Sequence, residues 1–191
     1  ARLTINDPDA VPDGFREELD IGLAETERVK SEWEDENISV TASTIGITYC
    51  EPDQLIELWR WTDANNRQFD IHAPAIFDQK YLAARRGWEG GSFEWLDHVG
   101  ILGPNLIAAH AQNLRPGEEK LIHDRGAAVA LVPDMEQVLG LVSFDAKQFL
   151  ESDVNCGLGL DGPVVAYGHD IWAAMRGFLT AQRMGDEYRR R

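Results

Sequence analysis

The stretch ILGPNLIAAHAQ, residues 101–112, decides how the rest of the chain is read. Gly103-Pro104 makes a turn, Leu106-Ile107-Ala108-Ala109 is an unbroken aliphatic run, and His110 stands where the run stops. A distant counterpart, GLGLDG at 157–162, is a strand of small residues that ends in Asp161. A third segment of the same design, Phe69-Asp70-Ile71-His72, ends in a histidine. Parallel α/β folds place their chemistry on polar side chains at the C-terminal ends of buried strands.

Outward from that stretch, strand and helix signals alternate about six times. Residues 2–6, 38–44, 69–72, 106–109, 127–132 and 154–160 read as strands. Helical spacing of apolar residues marks 13–34, 53–65, 116–125, 144–151 and the segment from Ile171 to Gln182. Pro52 suits a helix start, Ser92 and Asp170 suit N-caps, and Gly126 suits a left-handed C-terminal cap. Residues 7–14 read as a turn, and 85–91 as a long loop. Aliphatic strands alternating with helices imply a mostly parallel sheet with crossover helices, buried on both faces.

Composition narrows the function. The 191 residues suit one domain, and 43% hydrophobic with 27% charged content is ordinary for a globular protein. A net charge of −15 argues against nucleic acid or an anionic membrane as partner, and the Arg189-Arg190-Arg191 tail is too short to be a basic module. Cys50 and Cys156 belong to no CxxC pattern, so no disulfide framework is visible and a reducing cytoplasm is expected. No apolar run approaches the length of a membrane span.

Parallel strands bring His72, His110 and Asp161 to one face. Two imidazoles and a carboxylate there form a donor set suited to zinc or iron. The competing reading makes each histidine structural and Asp161-Gly162 a turn. Glu136, in the stretch 132–140 (VPDMEQVLG), also follows a strand end and is an even choice between structure and function. His98, His123 and His169 read as surface or structural residues.

The motifs DIHA at 70–73, GILGPNLIAAHAQNL at 100–114, VPDMEQVLG at 132–140 and DVNCGLGLDG at 153–162 resemble, in order and spacing, the amidohydrolase superfamily. The similarity is to its aminohydrolase and chlorohydrolase branch, and it runs over about residues 68–183. It implies a partial (β/α)8 TIM-type barrel in one domain, residues 1–191, with about six parallel strands and a metal at the C-terminal mouth. It implies that His72 is a metal ligand, that His110 polarises substrate, and that Asp161 binds metal and handles the proton of the hydrolytic water. The substrate class implied is a nitrogen heterocycle, and the reaction hydrolytic deamination or dechlorination.

Three departures stand out. The family's strand-1 HxH pair has no counterpart in these residues, Ala75 replaces a common glutamate proton shuttle, and Leu131-Val132-Pro133 replaces a common HCP. A P-x-x-E turn in that last place makes Glu136 a candidate for proton work or substrate contact. A full barrel takes roughly 250 residues, so strands 1 and 2 are expected to be missing. The first reading is therefore a hydrolase portion that acts only when those strands are supplied. The alternative is a non-catalytic remnant that associates through its open barrel and binds no metal. A third reading has His72, His110 and Asp161 alone holding the ion. Either of the first two implies a homo-oligomer or the remainder of the barrel as partner.

Overall fold

The computed structural model describes residues 2–3, 16–73, 78–140, 146–166 and 168–189. Elements follow in the order β1 (Arg2–Leu3), α1 (Leu19–Trp33), β2 (Ala42–Ser43), α2 (Pro52–Ala64), β3 (Phe69–Ala73), α3 (Asp78–Arg86), α4 (Ser92–His98) and β4 (Leu106–His110). The second half continues with α5 (Glu118–Arg125), β5 (Ala128–Leu131), α6 (Pro133–Val138), α7 (Ala146–Glu151), β6 (Asn155–Leu158), α8 (Pro163–Ala166) and α9 (Ile171–Arg189). The expected six strands are all present among the described residues, and every pairing is parallel.

Strands sit beside their sequence neighbours, β1-β2 in one sheet and β3-β4-β5-β6 in the other. The two sheets touch between β2 and β3. The His72 N–H donates to the Ile45 carbonyl at 2.8 Å, and Gly46 forms a parallel bridge with His72. The Thr41 hydroxyl donates to the Gln68 carbonyl at 2.8 Å, and that of Ser43 to the Asp70 carbonyl. A Cβ on residue 46 would lie 2.8 Å from the His72 carbonyl oxygen, so glycine is what lets the two strands close up.

Side-chain alternation separates the faces of the sheet. Phe69, Ile71, Leu106, Ala108, Val129 and Leu131 are buried in the main core, which also takes Leu55, Leu58, Phe93, Leu96 and Ile122 from the helices. Each fully buried large side chain of this set contributes about 1.5–3 kcal/mol. The opposite face carries Asp70, His72, Ile107, Ala109, Ala128 and Ala130, partly or fully open to solvent. Burial on both faces is thus not what the strands show: among the described residues no layer covers the face away from the helices.

Helix boundaries mostly follow the sequence signals. Pro52 opens α2, and Gly126 ends α5 in the left-handed region at φ 72°. The Asp170 carboxylate accepts the backbone N–H of Trp172 at 2.9 Å and of Ala173 at 3.2 Å, as an N-cap does.

Several expectations change. The predicted strand 38–44 contracts to Ala42–Ser43. Part of the expected loop at 85–91 is the last turn of α3, where Arg86 pairs with Glu51 at 2.7 Å. Ser92 is the first residue of α4 and Gly91 is its cap, and the Glu118 carboxylate fills the space where a Cβ on 91 would lie. Trp33, one of the apolar residues in the predicted helix 13–34, is exposed, since α1 buries its Gly22 and Thr26 side. Strand β6 is only half-buried, and so is Cys156, because β6 has a neighbour on one side only among the described strands. The residue 132–140 stretch forms the short helix α6 rather than a turn. The predicted turn at 7–14, the extension of the first strand to Asn6, Ala75 and the Arg190-Arg191 end lie outside the described residues. No helix among the described residues is long and apolar enough to cross a membrane.

Candidate active site

Residue register puts the site at one end of the four-stranded sheet. His72 pairs with Ala109 and Ala73 with His110, so the two histidines sit one step apart at the ends of β3 and β4. Strict alternation would send His110 to the helix-packed face, with Leu106 and Ala108. The backbone ends that alternation there: His110 has φ 76° and Ala111 φ 50°, both left-handed. The imidazoles of His72 and His110 meet edge to face, with centroids 4.7 Å apart and planes at 83°. Left-handed backbone at a non-glycine residue costs on the order of 1–3 kcal/mol and clusters at functional sites.

Burial sets the protonation of both rings. His110 is 5% exposed, and burial, reinforced by the neighbouring His72, drives its pKa down to about 4. His72 is lowered by burial too, with Asp161 and Asp70 pulling the other way. Both rings are accordingly neutral near pH 7, the form that ligates metals and exchanges protons. No hydrogen-bond partner for His110 Nδ1 occurs among the described residues.

Asp161 closes the group from the far side. It follows β6 with a left-handed backbone at φ 59°, as the Asp-Gly turn reading expects. Its Oδ1 accepts the Gly162 N–H at 2.5 Å. Its negative charge is felt by both imidazoles. Strand β6 lies three places from β3 in the sheet, so the sheet must curl to bring those ends within electrostatic reach. Beside His72 opens a cavity of about 430 Å³, lined by Ser43, Thr44, Ile45, Asp70, His72 and Ala109.

Glu136 stands apart from this trio. Helix α6 carries it directly after β5, where it is fully buried, and neither carboxyl oxygen finds a hydrogen-bond partner among the described residues. Burial pushes its pKa up to about 7, with a smaller opposing influence from the Gln112 carboxamide alongside.

The chemistry of the donors suits a borderline metal ion: two neutral imidazoles, one of them with an orphaned ring nitrogen, and an open carboxylate. Their number does not suffice. Among the described residues no three His, Cys, Asp or Glu side chains converge closely enough to hold an ion, so His72, His110 and Asp161 do not by themselves form a three-ligand site.

Some participants escaped the sequence reading. Asp70 lies two positions before His72, hence on the same face of β3, and period-2 counting could have found it. Gln112, 3% exposed and with Nε2 unpartnered among the described residues, is the last residue of the opening stretch. His169, read as bland, meets the Asp161 carbonyl through Nε2 at 3.0 Å. No spacing rule would have shown that contact.

Comparison with known proteins identifies the fold and the family. The chain is 25% identical over 177 residues to 5'-deoxyadenosine deaminase of Methanothermobacter thermautotrophicus, covering 91% of this chain and 41% of that protein. It is 31% identical over 121 residues to 5-methylthioadenosine/S-adenosylhomocysteine deaminase of Pyrococcus abyssi, covering 61% and 28%. Among solved structures, an adenosine deaminase from Xanthomonas campestris with bound zinc superposes with a TM-score of 0.85 at 19% identity, over 97% of this chain and 42% of that one. Atrazine chlorohydrolase from Arthrobacter aurescens, complexed with zinc, gives a TM-score of 0.82 at 16% identity over 88% and 38%. The fold is therefore an arc of the (β/α)8 barrel, and the chain spans well under half the length of the first relatives it matches, 41% and 28% of the two deaminases. The amidohydrolase family model matches residues 4–188, nearly the whole sequence, and the chain belongs to that family.

Proposed function

We propose that this chain supplies the β3-to-β6 side of a hydrolytic deaminase site, in one incomplete barrel domain that acts on an aminated nitrogen heterocycle. The observation that carries the reading is the meeting of two neutral imidazoles at adjacent strand ends within the field of Asp161. The relatives named as deaminases of adenosine-type compounds favour a 6-aminopurine nucleoside over a chlorinated triazine.

His72 and Asp161 would hold a zinc-type ion together with ligands from elsewhere in the barrel, and a bound ion of this kind lowers the pKa of water. Neutral His110 donates a hydrogen bond to the heterocycle beside the reacting carbon and draws electron density from it. Asp161 orients the water and takes its proton as the C–O bond forms. That proton then goes to the departing amino group, so that water and the amine yield the oxo-heterocycle and ammonia. The cavity at Ser43, Thr44 and Asp70 receives the rest of the substrate.

A second reading, a non-catalytic remnant, draws on the incomplete ligand set. Zinc content after dialysis and ammonia release from adenosine, measured on the protein and on its His72→Ala and Asp161→Ala variants, separate the two. Zinc that both substitutions remove, with release of ammonia abolished, supports the deaminase. Metal-free protein that stays inactive after zinc reconstitution overturns it.

A further inference from the structure

Left-handed backbone at non-glycine residues occurs after two strands of the site. After β4 it is found at His110, Ala111 and Asn113, and after β6 at Asp161, with φ 59°. Such backbone persists only where surrounding contacts hold it. Two contacts meet at Asp161. Its Oδ1 accepts the Gly162 N–H at 2.5 Å, which ties the carboxylate to its own turn. Its carbonyl oxygen lies 3.0 Å from His169 Nε2. A carbonyl oxygen only accepts, so Nε2 is the protonated ring nitrogen and donates to it.

His169 is held from behind. It stands immediately before Asp170, whose carboxylate caps α9 by accepting the Trp172 and Ala173 N–H groups. Helix α9 in turn packs against α6 and β6. Its Ala174 is fully buried, and a Cβ on Gly177 would lie 3.1 Å from Asp134 Oδ1 of α6. The imidazole thus hangs from the capped end of a seated helix. Its bond to Asp161 closes residues 161–169 into a loop around the short helix α8. Both partners are exposed, and a hydrogen bond open to water adds little to global stability. Its effect is local: it sets where the Asp161 turn sits relative to α9.

We infer that His169 is a positioning residue, whose hydrogen bond to the Asp161 carbonyl holds the turn that presents the Asp161 carboxylate. The inference rests on the proposed function only in taking Asp161 as a working residue, and the clasp itself stands without catalysis.

The test is an amide and imidazole NMR spectrum of the full chain. The His169 ring nitrogens, assigned by their loss in His169→Ala, should show the proton on Nε2 at about pH 8, above the ordinary imidazole range. The Gly162 amide donates to the Asp161 carboxylate and so reports its position. His169→Ala and His169→Phe, which both remove the donor, should shift that signal and speed its exchange with water about fivefold. The Gly126 amide, in the cap of α5, should stay in place. His169→Gln keeps an N–H donor and should bring the Gly162 signal back toward that of the parent chain. An unmoved Gly162 amide in either donor-free variant would overturn the inference. So would a proton on Nδ1 alone in the parent, or a His169→Gln shift as large as that of His169→Ala. Should His169→Ala fail to fold, His169→Phe and His169→Gln decide the matter. Ammonia release from adenosine, run in parallel, keeps this inference apart from the deaminase reading. A displaced Gly162 amide with kcat lowered roughly five- to tenfold, KM unchanged and rescue by His169→Gln supports both. A displaced amide in a protein whose parent form releases no ammonia supports the clasp and sinks the deaminase. Ammonia release at the full rate in His169→Ala supports the deaminase and overturns the positioning role.

Discussion

Glu136 and His110 make opposite demands on pH. The Glu136 carboxyl is buried without ion-pair compensation, and its pKa rises from 4.5 to about 7 on folding. The folded state therefore binds more protons than the unfolded one between those values, and stability falls as pH rises through that window. The full shift corresponds to roughly 3 kcal/mol lost by about pH 8. Urea unfolding of the Glu136→Gln chain, followed from pH 5 to 8, should show that slope reduced; an unchanged slope would contradict the buried neutral carboxyl. His110 works the other way. Its folded pKa of about 4 lies below the ordinary 6.5, so the stability due to its neutral ring is present above about 6.5 and is lost as pH falls toward 4. Histidine NMR titration should find His110 still neutral at about pH 5.5, when exposed imidazoles have become cationic. The sequence announced His110 because a polar residue ended an aliphatic strand. It said nothing about the turn at 110–113, because positive φ at His, Ala and Asn leaves no compositional trace.

Among the elements, α4 shows how far local signals reach. Ser92 signals in the sequence that a helix starts nearby, but the N-terminus of α4 is held by a group 24 or more positions away. The Glu118 carboxylate, 1% exposed, accepts the N–H groups of Phe93 at 2.7 Å, Glu94 at 3.2 Å and Arg115 at 2.7 Å. In sequence Glu118 is an ordinary acid in the first turn of a helix. Only the packing of α5 against α4 turns it into a joint cap. Glu118→Ala strands three donors and should cost about 3 kcal/mol, read from the denaturant midpoint. Gly91→Ala should be comparably damaging, since its Cβ would meet that carboxylate. Strands β3, β4 and β5 were legible because each is an aliphatic run bounded by turn residues. Strand β2 was overextended because alternation over 38–44 describes burial that loops share.

At the scale of the whole molecule, one side of the arc is unsatisfied. Helix α9 presents Trp172, Met175 and Leu179 to solvent at 70%, 45% and 49% exposure, next to the edge of β6 that has no partner among the described strands. Light scattering of residues 1–191 expressed alone should therefore give a mass above 21.4 kDa, and Trp172→Glu with Leu179→Glu should lower it. A monomer at the parent mass would show that these side chains need no cover. The sequence indicated a parallel βα fold but not this asymmetry, because the residues that would cover the open face are not among those that form it. The strand order has a further consequence. Each described strand lies beside its sequence neighbour, and no segment crosses back between two others. The register of each described pair is thus set between consecutive βα units. Opening the chain in the connection between two of these strands would break no interleaved pair, so the two pieces would have to find each other across a single seam.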